Sequence, residues 1–259
     1  MIELWPDKVP GEVKAKSDPV FDASVDNILR ISEVTNPKLE VFYPEKMNDK
    51  HSAVIVCPGG GYNILAYDLE GTEIAQWLNK LGYVAFVLQY RVPKKKIGAL
   101  QDLQRALRVV RSDAAKWGIN SDSIGVIGFS AGGSLCARAA TLFNQKTYSP
   151  VDKADIVSCR PSFVMLVYPA YLDLGENNSL TPELKLTKDV PPIFMFQASD
   201  DKCGNSSLVM GKALRDAKLP FEMHIVPTGG HGYGLRPGKR APETWPGLAG
   251  KWISAITKD

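Results

Sequence analysis

The chain has 259 residues, of which 44% are hydrophobic and 23% charged, and its formal net charge is +3. These totals are typical of a globular protein with one large core, so we expect residues 1–259 to form a single domain. No apolar stretch is long enough to span a membrane. The basic run at 94–96 is too short for a nucleic-acid surface, so the sequence predicts neither a membrane span nor a nucleic-acid partner.

The first elements along the chain are predicted to be half-buried strands at 27–34 and 38–44, where apolar and polar residues alternate. Short, continuously apolar runs follow, and these are typical of strands covered on both faces in a parallel sheet. The runs span 53–57, 84–90, 124–129, 163–168 and 193–198, and a further strand is predicted at 221–226.

Helical patterns lie between and after these runs, at 69–82, 99–118, 131–143, 206–219 and 244–256. Strands that alternate with helices predict an α/β fold, with a mostly parallel central sheet flanked by helices. The less periodic segments 144–160 and 171–189 are expected to form loops or short helices above the sheet. We therefore expect a small cap or none.

The carboxyl ends of parallel strands are where ligands bind, and the sequence GFSAG (128–132) follows one of them. The pattern G-x-S-x-G between a strand and a helix places a serine on a sharp turn, where its hydroxyl stands clear of the backbone. Tight strand–helix turns often carry glycine without any catalytic role. This motif alone leaves two interpretations of Ser130 open.

A second glycine-rich stretch, CPGGGYN (57–63), follows the strand predicted at 53–57. Consecutive glycines let backbone N–H groups approach a ligand closely, and such donors stabilise negative charge that develops during ester hydrolysis. A phosphate-binding loop would need Lys-Ser or Lys-Thr after the glycines, and a dinucleotide motif would need glycine where the chain has Ile64. A flexible turn is the remaining alternative.

Two adjacent carboxylates, Asp200 and Asp201, follow the strand predicted at 193–198. A catalytic triad needs one buried acid to orient an imidazole and to stabilise its charged form. Aspartate in such a loop also commonly caps a turn.

The candidate base is one of three histidines. His51 precedes the first central strand and is expected at the surface, whereas His224 lies within a strand pattern. His231 stands between glycines in the loop after the strand predicted at 221–226. Serine, aspartate and histidine thus follow one another in the chain order of one known triad arrangement. Because each follows a predicted strand, we interpret Ser130 as a nucleophile.

These residues resemble the serine esterases of the α/β-hydrolase superfamily. CPGGGY resembles the oxyanion motif of the hormone-sensitive-lipase-like esterases, although Pro58 stands where that group has histidine. The wider match includes LWPDKVPGE near the N-terminus, YRVP at 90–93 and residues 102–119. It points to bacterial acetyl esterases described as acetylxylan or feruloyl-esterase-like hydrolases.

The resemblance implies an acetyl or other short-chain esterase, with esters of plant polysaccharide such as xylan as candidate substrates. It implies a triad of Ser130, His231 and Asp201, with Asp200 as the alternative acid. It further implies three backbone N–H donors to the oxyanion, which belong to Gly60, Gly61 and Ala131. The substrate is expected to be a small-molecule or carbohydrate ester, and no metal or organic cofactor is required.

Four tyrosines are expected at the rim of the site, where they could stack on a sugar: Tyr62, Tyr67, Tyr171 and Tyr233. Ordinary packing is the alternative for each. A serine peptidase of the same fold and a non-catalytic ligand-binding protein are the other function classes left open. The first residues lack the apolar segment of a signal peptide, so we expect a cytoplasmic protein or the mature form of an exported one, of undetermined oligomeric state.

Overall fold

The elements of the protein are described over residues 1–257 in a computed structural model. The strands are β1 (Ile2–Glu3), β2 (Val20–Asp22), β3 (Arg30–Ser32), β4 (Lys38–Phe42), β5 (Ala53–Cys57), β6 (Leu65–Ala66), β7 (Val84–Gln89), β8 (Ile124–Phe129), β9 (Val164–Val167), β10 (Ile193–Ala198) and β11 (Phe221–Val226). The α-helices are α1 (Glu73–Lys80), α2 (Lys96–Ser112), α3 (Ala114–Trp117), α4 (Ala131–Thr141), α5 (Asn205–Asp216) and α6 (Arg240–Ile256).

The continuous apolar runs form the centre of an eight-stranded sheet with the order β1-β4-β7-β5-β8-β9-β10-β11. All pairs from β7 to β11 are parallel, and only β1 and β4 join antiparallel. Every residue of β5, β7, β8 and β10 is buried, as expected for strands covered by helices on both faces. The predicted α/β fold with a mostly parallel central sheet is confirmed. A smaller sheet, with the order β2-β3-β6, lies outside it.

The predicted helices are present, but two of them are divided. The pattern at 69–82 splits into a π-helical turn, Asp68–Thr72, and the helix α1. The pattern at 99–118 splits into α2 and α3, and α3 ends at Gly118 in the left-handed conformation that favours glycine.

A buried ion pair ties the N-terminal segment to α2. Arg91 Nε lies 2.9 Å from Asp102 Oδ2, and Trp5 Nε1 donates to Asp102 Oδ1 at 2.9 Å. Burial raises the pKa of Asp102, and the charge of Arg91 and its hydrogen bonds oppose that shift. The three sequence stretches LWPDKVPGE, YRVP and 102–119 therefore meet in one structural network.

The two segments expected above the sheet lie in different places. Segment 144–160 contains a short 3₁₀ turn, Lys153–Ile156, as expected, and it runs along α2, where Arg105 contacts Asp152 at 2.8 Å and Asp155 at 3.0 Å. Segment 171–189 begins at the carboxyl end of β9 and contains only a short 3₁₀ turn, Glu176–Asn178. Any cap is therefore limited to this second segment. Within residues 1–257, no helix is both long and apolar enough to cross a membrane.

Candidate active site

The site lies where the strand order reverses. After β5 the chain enters β7 on one side of it, and then returns to form β8 on the other side. The loops after β5 and β8 therefore leave the sheet in opposite directions and open a crevice at its carboxyl edge. These loops carry Gly59–Gly61, called here the oxyanion loop, and Ser130. Asp201 follows β10 and His231 follows β11, so they reach the same edge.

Ser130 occupies the strained turn between β8 and α4. Its backbone angles are φ 51° and ψ −116°, outside the regions that side-chain-bearing residues normally occupy. The end of β9 and the segment after it hold this conformation, because the Ser130 N–H donates to Val167 O at 3.3 Å and its carbonyl accepts from the Ala170 N–H at 3.0 Å. Strain of this kind is what a nucleophile on a sharp strand–helix turn requires.

The glycines around Ser130 are explained by the space available to them. A Cβ at Gly128 would lie 2.1 Å from the carbonyl oxygen of Gly132. A Cβ at Gly132 would lie 2.0 Å from Cys57 O, at the end of β5. The G-x-S-x-G spacing thus allows the turn to pack directly against the neighbouring strand.

The three predicted triad residues are brought together. His231 Nε2 lies 2.7 Å from Ser130 Oγ, and His231 Nδ1 lies 2.7 Å from Asp201 Oδ2. Both distances are those of hydrogen bonds. The arrangement can move a proton from the serine hydroxyl to the imidazole, while the carboxylate stabilises the charge that results.

The two candidate acids have separate places. The Asp201 side chain is fully buried and accepts from His231, from Gln197 Nε2 at 2.8 Å and from the Cys203 N–H at 2.8 Å. Burial opposes its ionisation, but these hydrogen bonds and the charge of His231 outweigh burial and lower the pKa of Asp201. Asp200 is exposed and accepts instead from the Gly230 N–H at 2.8 Å. The geometry favours Asp201 as the acid and makes Asp200 a cap of the histidine loop, residues 229–234.

The Gly60 carbonyl is hydrogen-bonded within its own turn, whereas the neighbouring N–H groups are not. Gly60 has φ +128° and Gly61 has φ +65°, and the Gly60 carbonyl accepts from the N–H groups of Asn63 at 3.0 Å and Ile64 at 3.2 Å. Among residues 1–257, the N–H groups of Gly60 and Gly61 have no acceptor. Ala131 is the first residue of α4, so its N–H has no intrahelical acceptor either. That these three groups bind an oxyanion stays a prediction.

Sequence reasoning missed one buried acid, Glu70, in the π-helical turn. Its Oε2 accepts from the Gly59 N–H at 2.7 Å, and its Oε1 accepts from the Tyr168 hydroxyl at 2.9 Å. Burial raises the pKa of Glu70, although these two hydrogen bonds and the nearby His231 oppose the shift. A glutamate within a helical pattern ordinarily faces solvent, so the sequence held no signal for this position.

The tyrosines expected at the rim are mostly elsewhere. Tyr62, Tyr67 and Tyr233 are buried, so their predicted exposure to a sugar is wrong. Tyr171 is half-buried, and a Cβ at Gly61 would lie 3.7 Å from its hydroxyl. It is therefore the one of the four that lies beside the oxyanion loop with a surface open to substrate.

Asp201, Cys203 and His231 offer possible metal-ligand atoms within 4.8 Å of one another. Both imidazole nitrogens of His231 are already hydrogen-bonded, to Asp201 and to Ser130. A cation at this point would have to break the contacts that connect the three triad residues, so the donor set does not fit a metal that works together with the triad.

Comparison with solved structures supports the fold. The crystal structure of an acetyl ester-xyloside bifunctional hydrolase from Caldicellulosiruptor lactoaceticus is 32% identical, covers 99% of this chain and 96% of its own, and superposes with a TM-score of 0.81. MGS-M1, an alpha/beta hydrolase from a Medee basin deep-sea metagenome library, is 26% identical, covers 93% of this chain and 98% of its own, and has a TM-score of 0.68.

Sequence comparisons give the same result. A family model described as BD-FAE matches residues 39–159. An acetylxylan esterase of Xylanibacter ruminicola is 29% identical over 88% of this chain and 50% of its own length, so the chain spans about half of that relative. The fold and the near-complete match to the Caldicellulosiruptor hydrolase confirm the predicted resemblance, and the chain belongs to the α/β-hydrolase family of esterases.

Proposed function

We propose that this chain is a serine carboxylic-ester hydrolase that removes short acyl groups, acetyl first, from carbohydrate hydroxyls such as those of xylan. One observation carries the proposal, namely the two 2.7 Å contacts that connect Ser130 Oγ through His231 to Asp201. A protein that only binds a ligand has no need of a hydroxyl, an imidazole and a buried carboxylate in this order.

The reaction would proceed in two acyl transfers. His231 Nε2 takes the Ser130 proton as Oγ attacks the ester carbonyl carbon, and the carbonyl oxygen becomes negatively charged. The N–H groups of Gly60, Gly61 and Ala131 would stabilise that oxyanion. His231 then passes the proton to the departing alcohol, which leaves the acyl group on Ser130. Water, deprotonated by His231, attacks this ester, and the carboxylic acid leaves as Ser130 regains its proton.

Asp201 sets the tautomer of His231 in this scheme. Its carboxylate accepts a hydrogen bond from the Nδ1–H group, so the Nε2 lone pair faces Ser130. Because its pKa lies below the ordinary value of 3.8, Asp201 is ionised at neutral pH and can stabilise the imidazolium. The buried position of its side chain strengthens that interaction, since little water screens it.

The substrate class has two supports. Two relatives carry names that refer to acetyl ester, xyloside or acetylxylan. The segment 171–189 contributes polar, exposed residues at 176–179, which offer little apolar wall to a long acyl chain. An extended apolar slot would gain about 0.8 kcal/mol per buried methylene, or about fourfold in rate for each.

The proposal is tested with 4-nitrophenyl acetate, butyrate and octanoate, together with acetate release from acetylated xylan. We expect kcat/KM to be highest for the two- to four-carbon acyl groups. Ser130→Ala should lose at least about a thousandfold of the rate and serves as the control for background hydrolysis. If the octanoate ester is cleaved more efficiently than the acetate ester, the short-chain assignment is refuted. A wild-type protein that cleaves none of these esters would refute the assignment as an esterase.

A further inference from the structure

Glu70 is a fully buried carboxylate that the reaction above does not use. Only 3% of the residue is exposed, and it lies in a π-helical turn, a distortion that is frequent at functional sites. Burying a carboxylate costs free energy that must be offset by hydrogen bonds or charges. The position of its two oxygens therefore calls for an explanation.

One oxygen holds the oxyanion loop. The Gly59 N–H donates to Glu70 Oε2 at 2.7 Å. A Cβ at Gly59 would lie 2.6 Å from that oxygen and 2.8 Å from Ser130 Cβ, so the Gly59 backbone is clamped between the two side chains. Gly59 immediately precedes Gly60 and Gly61. The peptide that Glu70 fixes thus sets the direction of the next two N–H groups.

The other oxygen reaches the histidine loop through Tyr168. The Tyr168 hydroxyl donates to Glu70 Oε1 at 2.9 Å and accepts from the Gly234 N–H at 3.0 Å. Its ring also packs edge-on against the His231 imidazole, with the ring centres 5.2 Å apart. One carboxylate therefore contacts, directly or through one hydroxyl, the loops on both sides of Ser130.

We propose that Glu70 is a positioning residue that joins the oxyanion loop to the histidine loop and fixes the position of both loops relative to Ser130. The inference rests on the proposed function, because these positions matter only if Ser130 reacts. Glutamine has nearly the same volume, so it separates this role from simple packing. Its amide replaces one acceptor by a donor, so either the Gly59 N–H loses its acceptor, or the Tyr168 hydroxyl has to accept from the amide and its own proton loses an acceptor.

The expected effect is on the reaction rather than on substrate binding. Loss of one oxyanion donor typically lowers kcat by about 10²- to 10³-fold, and a loop released from Glu70 would misplace such donors. We expect Glu70→Gln to lower kcat by roughly 100-fold while KM changes by less than about threefold.

The test measures Glu70→Gln, Tyr168→Phe and the double variant. Each is assayed for kcat and KM on an acetyl ester, for its melting temperature, and for the second-order rate constant of Ser130 phosphonylation by a fluorophosphonate. Phosphonylation needs the same nucleophile and oxyanion donors but no acyl substrate. A wild-type protein that is phosphonylated yet cleaves no acetyl ester would refute the proposed substrate, and the phosphonylation rates of the variants would still decide the role of Glu70.

We expect kcat and the phosphonylation rate constant to fall by roughly 100-fold in Glu70→Gln and by about tenfold in Tyr168→Phe. The double variant should lie within about threefold of Glu70→Gln, because the two groups form one network. Glu73→Gln is the matched control and should stay within about twofold, since its partner Arg236 keeps Asp68 at 2.9 Å. Glu70→Gln with both rates within about threefold of wild type would overturn the proposal. If that variant does not fold, Tyr168→Phe at wild-type rates would overturn it.

Discussion

Replacing Asp201 by asparagine changes a single atom but should reverse the tautomer of His231. In the native site the Cys203 N–H donates to Oδ1, while His231 Nδ1 and Gln197 Nε2 both lie near Oδ2. The Cys203 N–H needs an acceptor, so the asparagine oxygen should take that place and its NH₂ should face His231. An NH₂ group donates to Nδ1, so the imidazole proton lies on Nε2. A protonated Nε2 cannot accept a hydrogen bond from Ser130.

The size of the effect follows from that tautomer. An asparagine at the acid position of a serine triad lowers kcat by about 10⁴-fold when the geometry is otherwise kept. Four decades correspond to about 5.4 kcal/mol of transition-state stabilisation. Because the Asp201 side chain is fully buried, no solvent can supply a substitute acceptor for Nδ1. We therefore expect the full loss in Asp201→Asn.

Asp200→Asn provides the matched comparison, one residue away. Asp200 is exposed and accepts from the N–H groups of Gly229 at 3.2 Å and Gly230 at 2.8 Å. An asparagine oxygen can keep the shorter of these bonds, so we expect a rate loss of less than about tenfold. The assay is kcat on 4-nitrophenyl acetate at pH 8, with circular dichroism spectra to show that both variants fold.

The comparison has an outcome that contradicts the reasoning. A larger loss of kcat in Asp200→Asn than in Asp201→Asn would show that the acid is misassigned. A loss of less than about tenfold in Asp201→Asn would show that no acid sets the tautomer of His231.

Three further predictions concern packing and stability. Gly132→Ala places a methyl group 2.0 Å from the Cys57 carbonyl oxygen, so thermal melting should show a loss of about 1–3 kcal/mol in the free energy of unfolding. Asp102→Ala leaves Arg91 buried without its partner and should cost about 3–5 kcal/mol by urea denaturation. Burial opposes the ionisation of Asp155, but its hydrogen bonds and the charge of Arg105 lower its pKa below 3.8. The ionised Asp155 therefore contributes its full stability above pH 3.8, and this contribution is lost as pH falls through the lowered pKa. Asp155→Asn should consequently reduce the drop in urea midpoint between about pH 4 and pH 2. An unchanged melting curve, urea midpoint or pH slope would contradict the corresponding prediction.

The sheet could be predicted because fully buried strands leave a pattern that depends on local sequence alone. The apolar runs at 53–57, 124–129 and 193–198 match β5, β8 and β10 residue for residue. Ser130 could be placed because the steric demands of its turn require glycines at fixed spacing. His231 could be singled out because the chain has so few histidines.

The remaining parts of the site depend on contacts between distant segments. The two carboxylates Asp200 and Asp201 differ only in which way their side chains turn, and this is set by hydrogen bonds from the histidine loop and from His231. Glu70 lies in a pattern that predicts a surface helix, and only the π-helical turn directs it inward. Tyr62 combines an apolar ring with a hydroxyl, so its residue type is equally compatible with a rim and with the core that it occupies.

The central claim is that Ser130 is a nucleophile activated by His231. It is tested most directly by incubating the protein with a fluorophosphonate and measuring the intact mass, followed by peptide mapping. We expect one adduct per chain in the wild-type protein, located on Ser130, and none in Ser130→Ala under the same conditions. A wild-type protein that gains no adduct, or an adduct that persists in Ser130→Ala, would contradict the claim.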